Sequence, residues 1–198
     1  MKRSLIAVTC LCLLMFILQS CDSSNAANDK KENNSPFLSK EEQINRGKYL
    51  LSIGGCGDCH TPKKMTPMGP VHDSSKLYSG NPEGSPFPAP DQKIMGMVAG
   101  PDITSFAGPW GVSFAANLTP DTTTGIGNWS EATFINTLRT GKHLGLEGGR
   151  PILPPMPFPN FKRLTDEDFR SIYSFLQSIP PIKNKVHEPI APNPLGNK

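Results

Sequence analysis

The chain has 198 residues, enough for one domain with a real core or for two small ones. Its 20 Lys and Arg against 17 Asp and Glu leave a net charge of +3, which gives no basic field for nucleic acid. With 18 glycines, 21 prolines and 36% hydrophobic residues, the composition predicts much loop and little sheet.

Lys2 and Arg3 precede an apolar run from Leu5 to Leu18, which is short for a membrane span and suited to a signal-peptide core. Cys21 then follows Leu18-Gln19-Ser20. This stretch resembles the lipobox of bacterial lipoproteins, which implies removal of residues 1–20 and acylation of Cys21. An ordinary signal peptide or a retained anchor helix are the alternatives. The lipoprotein reading implies export, a lipid anchor in a bacterial membrane and a domain in the periplasm. Cys10 and Cys12 leave with the leader, and the remaining chain has 18 basic and 17 acidic side chains, with no polybasic membrane patch. Residues 21–37 read as an acylated polar tether, of which the fifteen residues 22–36 carry almost no large apolar side chains and reach at most roughly 50 Å.

The folded domain is placed at residues 38–182. Ser39-x-x-Glu42 is a capping-box pattern, and Ile44, Tyr49, Leu50 and Leu51 give a partial apolar face for a helix up to Ile53. Gly54-Gly55 ends it, and Cys56-Gly57-Asp58-Cys59-His60 follows at once. Residues 61–128 show no long helical period; Lys93–Val98 and Val112–Ala116 are short runs compatible with strand or turn. A second helix is predicted over Glu131–Thr140, capped by Ser130, stopped by Gly141, with Phe134, Ile135 and Leu138 facing inward. A third is predicted over Asp166–Ser178, capped by Thr165 and closed by Pro180-Pro181, with Phe169, Ile172, Tyr173 and Leu176 on one face. Residues 183–198 read as a loose tail.

Cys56-x-x-Cys59-His60 is the pattern of c-type haem attachment. Two thiols one helical turn apart can add across the two vinyl groups of one porphyrin edge, and the adjacent His60 then supplies a ring nitrogen to the iron. A thioredoxin-like pair would sit between a strand and a helix, and no βαβ alternation surrounds this one. A zinc site needs four ligands, and no second Cys or His pair stands at a matching spacing. Once the leader and Cys21 are set aside, Cys56 and Cys59 are the cysteines that remain, which fits one covalent haem c better than a disulfide scaffold.

The opposite face of the iron decides between electron transfer and chemistry on small molecules. His72, His143 and His187 are candidates, as are Met65, Met68, Met95 and Met97, but each sits in a segment with few ordering signals. Met156 lies in Pro151-Ile-Leu-Pro-Pro-Met156-Pro157-Phe-Pro159, where five prolines fix the backbone and remove amide donors. Such a loop can hold a weak thioether ligand, so His60 and Met156 are taken as the axial pair. A neutral soft sulfur in a low-dielectric pocket favours Fe(II) and predicts a positive reduction potential.

These parts resemble class I cytochrome c. INRGKYLLSIGGCGDCHTP, ANLTPDTTTGIGNWSEATFINTLRTGKH, PILPPMPFPNF and LTDEDFRSIYSFLQSIPP are similar to the single-haem domains found in cytochrome c subunits of bacterial alcohol and sugar-acid dehydrogenases. The resemblance implies an all-α, cytochrome c-like fold, with three or more helices around one haem and long irregular loops. It implies a close crossing of the first and last helices, with Gly47 against Tyr173 or Phe169, and it makes Trp129 and Arg139 candidates for contacts to the haem propionates. The implied role is one-electron transfer between a redox donor and acceptor, with a dehydrogenase or terminal oxidase as possible partner. A haem enzyme or sensor with an open distal position is the alternative.

Overall fold

The computed structural model describes residues 38–90 and 96–192. The leader at residues 1–20, the acylated Cys21, the tether at 21–37 and Met95 lie outside the described residues.

Helix α1 spans Lys40–Ile53 and opens on a capping box in which Ser39 and Glu42 satisfy each other's first-turn donors. Helix α2 is the single turn Cys56–His60. Helix α3 spans Glu131–Thr140, capped by Ser130 and ended by Gly141 at φ 68°. Helix α4 is the short turn Phe158–Phe161, and helix α5 spans Asp166–Leu176 with a second capping box between Thr165 and Asp168.

The expected all-α class is overturned by two antiparallel sheets. Strands β1 (Lys63–Thr66) and β2 (Gly69–His72) form a hairpin directly after α2. Strands β3 (Val98–Ala99), β4 (Ser105–Gly108) and β5 (Gly111–Phe114) form a second sheet in that order. Their lengths, two to four residues, are too short for an alternating pattern to register in the sequence. All of β4 and most of β5 is buried, so neither shows an apolar-in, polar-out alternation.

Helices α1 and α5 cross closely. Gly47 meets the backbone of Ser171 and the Cβ of Phe175, rather than the expected Tyr173 or Phe169. The main core joins Leu51 of α1, Ile126, Phe134 of α3, and Phe169, Ile172 and Leu176 of α5; Cys56 and Trp129 pack against it. Tyr49, assigned to the apolar face of the first helix, is 62% exposed, and Leu51 and Gly47 are what α1 buries.

Residues 183–192, expected as part of a loose tail, are tied to the body by polar anchors. Asn184 donates to the carbonyls of Ser79 and Asn81 and accepts from the Glu83 amide. Asn117 is buried and donates to the Ile182 carbonyl at 2.8 Å. Ile190 exchanges backbone hydrogen bonds with Val112 of β5, extending that sheet edge. These anchors are scattered Asn and Thr side chains, and no local period announces them.

Candidate haem-attachment site

Helix α1 delivers its C-terminus straight into α2. Gly55 turns the chain at φ 65°, and Cys56, Cys59 and His60 then follow on one helical turn. Positions separated by three and four residues share a helix face, so the two thiols and the imidazole rise from the same side. Both cysteines are free thiols and half-buried. Burial pushes the Cys56 thiol up to about 11, and burial also raises Cys59, where Lys63 opposes the shift. Protonated thiols at neutral pH are the reverse of the acidic nucleophile that a thioredoxin-like site needs. Among the described residues, no group of three or more His, Cys, Asp or Glu is arranged to hold a metal ion.

His60 is buried, and its Nδ1 lies 2.8 Å from the carbonyl oxygen of Ala116. A carbonyl only accepts, so Nδ1 carries the proton and Nε2 keeps its lone pair. Burial lowers the pKa of His60 against the opposing pull of the Ala116 carbonyl, so the ring is neutral. No other described residue hydrogen-bonds the His60 ring. A neutral imidazole, oriented through one nitrogen and free at the other, is the state a haem-iron ligand requires.

The Ala116 carbonyl is aimed by backbone alone. The Gly80 amide donates to the His60 carbonyl at 2.8 Å, and the Asn81 amide donates to the Ala115 carbonyl at 2.9 Å. Gly80 sits at φ 77°, and a side chain there would strike the Ala116 carbonyl carbon at 2.6 Å. Sequence reasoning missed this partner because a carbonyl acceptor has no residue signature.

Lys63 was also missed. Its Nζ reaches the carbonyls of Gly57 at 3.4 Å and Thr61 at 2.7 Å, and it also bonds Asp58. A cation thus closes the C-terminal end of α2, where unpaired carbonyls point. A Lys three residues past the motif is the signal that reveals it. Lys63→Met is expected to cost about 1–2 kcal/mol, read as a lower thermal midpoint of the protein.

Met156 is half-buried, whereas Met65 and Met68 are 69% and 96% exposed and Met97 is 50% exposed. Its loop is fastened at both ends. The His143 amide donates to the Arg150 carbonyl at 2.9 Å, and the Ile152 amide donates to the Gly141 carbonyl at 2.7 Å. Beyond Met156, Phe158 lies under Gly141, and Phe161 lies against Gly54, where a β-carbon would be 3.2 Å from the ring. Gly54 stands two residues before Cys56, so the short helix after Met156 packs on the entrance to the attachment turn.

The other sequence candidates have the following neighbours. His72 lies against Gly57 and pairs with Asp58 at 3.5 Å on the exposed side of α2. His143 is half-buried with its ring edge-on to Trp129 at 6.0 Å. His187 packs in tilted ring contacts against Phe87 and Phe114. Trp129 packs against the core, and its carbonyl accepts from the Tyr173 hydroxyl at 2.7 Å. Arg139 bonds the Lys162 carbonyl at 2.6 Å and Asp166 at 2.5 Å, with its guanidinium 4.7 Å from the centre of the Phe169 ring.

A turn with two free thiols and a neutral, singly bonded imidazole carries the donor set that c-type haem attachment uses. The chain is similar to cytochrome c subunits of bacterial dehydrogenases. It is 30% identical over 157 residues to the cytochrome c subunit of the quinone-dependent alcohol dehydrogenase of Gluconobacter oxydans, covering 79% of this chain and 26% of the relative. It is 28% identical over 154 residues to the gluconate 2-dehydrogenase cytochrome c subunit of Pantoea cypripedii, covering 77% and 27%. It is 28% identical over 143 residues to the fructose dehydrogenase cytochrome subunit of Gluconobacter japonicus, covering 72% and 22%. The chain thus spans about a quarter of the length of these relatives. They are named as cytochrome subunits of their dehydrogenases. No family model matches the chain.

Proposed function

We propose that this chain is a monohaem cytochrome c that passes electrons one at a time, held to a bacterial membrane in the periplasm by a lipid on Cys21. Residues 1–20 act as its leader, 21–37 as a polar tether and 38–182 as the haem domain. Cys56 and Cys59 would hold the porphyrin covalently, and His60 and Met156 would hold its iron. When bound, the haem supplies a reversible one-electron Fe(III)/Fe(II) couple.

The observation that carries this reading is His60: buried, neutral and oriented through Nδ1 onto Ala116, with Nε2 left as a donor. Met156 is supported by its half-buried position and by the packing of Phe161 against Gly54. A neutral thioether at that position favours the ferrous form. The protein makes and breaks no substrate bond. Its partners are redox proteins, and the relatives favour a dehydrogenase as one of them. Trp129 and Arg139 remain candidates for the propionates; Arg139 would share its guanidinium with Asp166.

The test is the spectrum of the ferric protein beside Met156→Ala. Methionine ligation gives a low-spin spectrum with a weak far-red charge-transfer band, and Met156→Ala is expected to lose that band and lower the reduction potential. A high-spin ferric spectrum in the unaltered protein would indicate an open distal position and overturn the electron-transfer reading.

A further inference from the structure

The loop that carries Met156 has few ways to grip the rest of the protein. Pro151, Pro154, Pro155, Pro157 and Pro159 have no amide hydrogen to donate. The Met156 amide turns inward to the Leu153 carbonyl at 3.3 Å, and the Pro157 carbonyl accepts from Asn160 at 2.9 Å, both local contacts. Among the described residues, one hydrogen bond joins residues 153–157 to a distant part of the chain. The Ser113 hydroxyl of β5 donates to the Pro154 carbonyl at 2.5 Å.

Ser113 is buried while Pro154 is exposed, so the bond is shielded from water on the hydroxyl side. The indole Nε1 of Trp110 donates to the Ser113 oxygen at 3.3 Å. The Phe106 carbonyl lies 3.4 Å from the same oxygen, but one hydroxyl hydrogen serves one acceptor well, and the shorter Pro154 contact takes it. The result is a directed chain from the Trp110 N–H through the Ser113 O–H to the Pro154 carbonyl. Each bond polarises the next in the same sense. Trp110 is itself fixed in the β4–β5 turn, its ring folded over Gly108 with a β-carbon there 2.5 Å from Cζ3.

We propose that Ser113 is the positioning residue for the distal ligand: it clamps the Met156 loop onto the β3–β4–β5 sheet and keeps the thioether from leaving the iron. This rests on Met156 as that ligand. It also gives the inserted sheet a role in the site, because β5 presents the clamp to a loop otherwise short of donors.

The test measures how readily an outside ligand displaces the methionine. Imidazole added to the ferric holoprotein exchanges one bond for another: the iron–sulfur bond breaks, an iron–nitrogen bond forms, and the oxidation state is unchanged. Ser113→Ala is expected to keep covalent haem and the far-red band at rest, and to bind imidazole about tenfold more tightly, the yield of one lost part-buried hydrogen bond. Ser113→Thr retains the hydroxyl on a residue suited to a strand and is expected to stay within about twofold of the unaltered protein. Trp110→Phe removes the polarising donor and is expected to give a smaller shift in the same direction.

Ile172→Val, in the core away from the loop, loses comparable stability and is expected to leave imidazole affinity unchanged. If Ile172→Val raises the affinity as much as Ser113→Ala does, general loosening explains the effect and the clamp is overturned. If Ser113→Ala matches the unaltered protein while Met156→Ala binds imidazole far more tightly, the clamp alone fails. If Met156→Ala matches the unaltered protein as well, the ligand assignment fails with it.

Discussion

Gly47→Ala is expected to lower the thermal midpoint of the protein by about 5–10 °C, the equivalent of about 2–3 kcal/mol for a domain of this size. A β-carbon at Gly47 would overlap the Ser171 carbonyl oxygen and stand 2.6 Å from its carbon and 2.8 Å from Phe175 Cβ. The first two are backbone atoms, which no rotamer change can move. The helices must separate along the crossing that buries Leu51 and Phe169. Alanine recovers about 1 kcal/mol of helix propensity over glycine, which offsets part of the clash. Thermal denaturation of the holoprotein checks this. A midpoint equal to that of the unaltered protein would mean that α1 and α5 do not pack as described. Because α1 runs into α2 across two residues, the same separation should also lower the yield of covalently attached haem.

The second large effect concerns Asp168, which links the same two helices. Its Oδ1 accepts from Arg46 Nε at 2.9 Å and Nη2 at 2.5 Å, and its Oδ2 accepts from the Thr165 amide at 3.3 Å. Burial pushes this carboxyl up, but the hydrogen bonds from Arg46 and Thr165 outweigh it and hold the group below the usual carboxylate range. A folded-state pKa below the unfolded value adds stability that is fully present above the unfolded value, near 4, and is lost as pH falls through the lower folded value. Asp168→Asn keeps the shape and one acceptor but removes the charge facing Arg46. It is expected to cost about 2 kcal/mol at neutral pH, since hydrogen bonds to charged groups contribute about 1.5–3 kcal/mol. The gap between Asp168→Asn and the unaltered protein should close as pH drops below about 4. Denaturant midpoints measured at intervals from pH 7 to pH 2 would reveal it, and a gap constant with pH would show that the pair contributes through shape alone.

Both effects act at a helix crossing whose outline is legible in the amino-acid sequence. The capping signals Ser39-x-x-Glu42, Ser130 and Thr165 place the starts of α1, α3 and α5 correctly, because a cap is a contact between residues three apart. The all-α expectation failed over residues 61–128 for the complementary reason. A strand of two to four residues gains its stability from a partner across the sheet, and Val98 finds Ala107 while Phe106 finds Ser113. Val98 and Ala107 stand nine residues apart with no local period to state their pairing, whereas β4 and β5 meet across the Gly108-Pro109-Trp110-Gly111 turn.

The attachment site divides in the same way. Cys56, Cys59 and His60 are neighbours in the chain, so their spacing alone determined the chemistry they suit, and the one-turn helix follows from it. What only the tertiary structure decided is the state of those groups. The protonation of His60 depends on burial and on the Ala116 carbonyl, 56 residues away. The Met156 loop depends on Ser113, 41 residues away from Pro154, and on Gly54 receiving Phe161. The sequence by itself determined which donors stand together along one turn, because covalent order sets that distance. Orientation, protonation and the clamping of a distant loop come from contacts between segments, and those exist once the chain has folded.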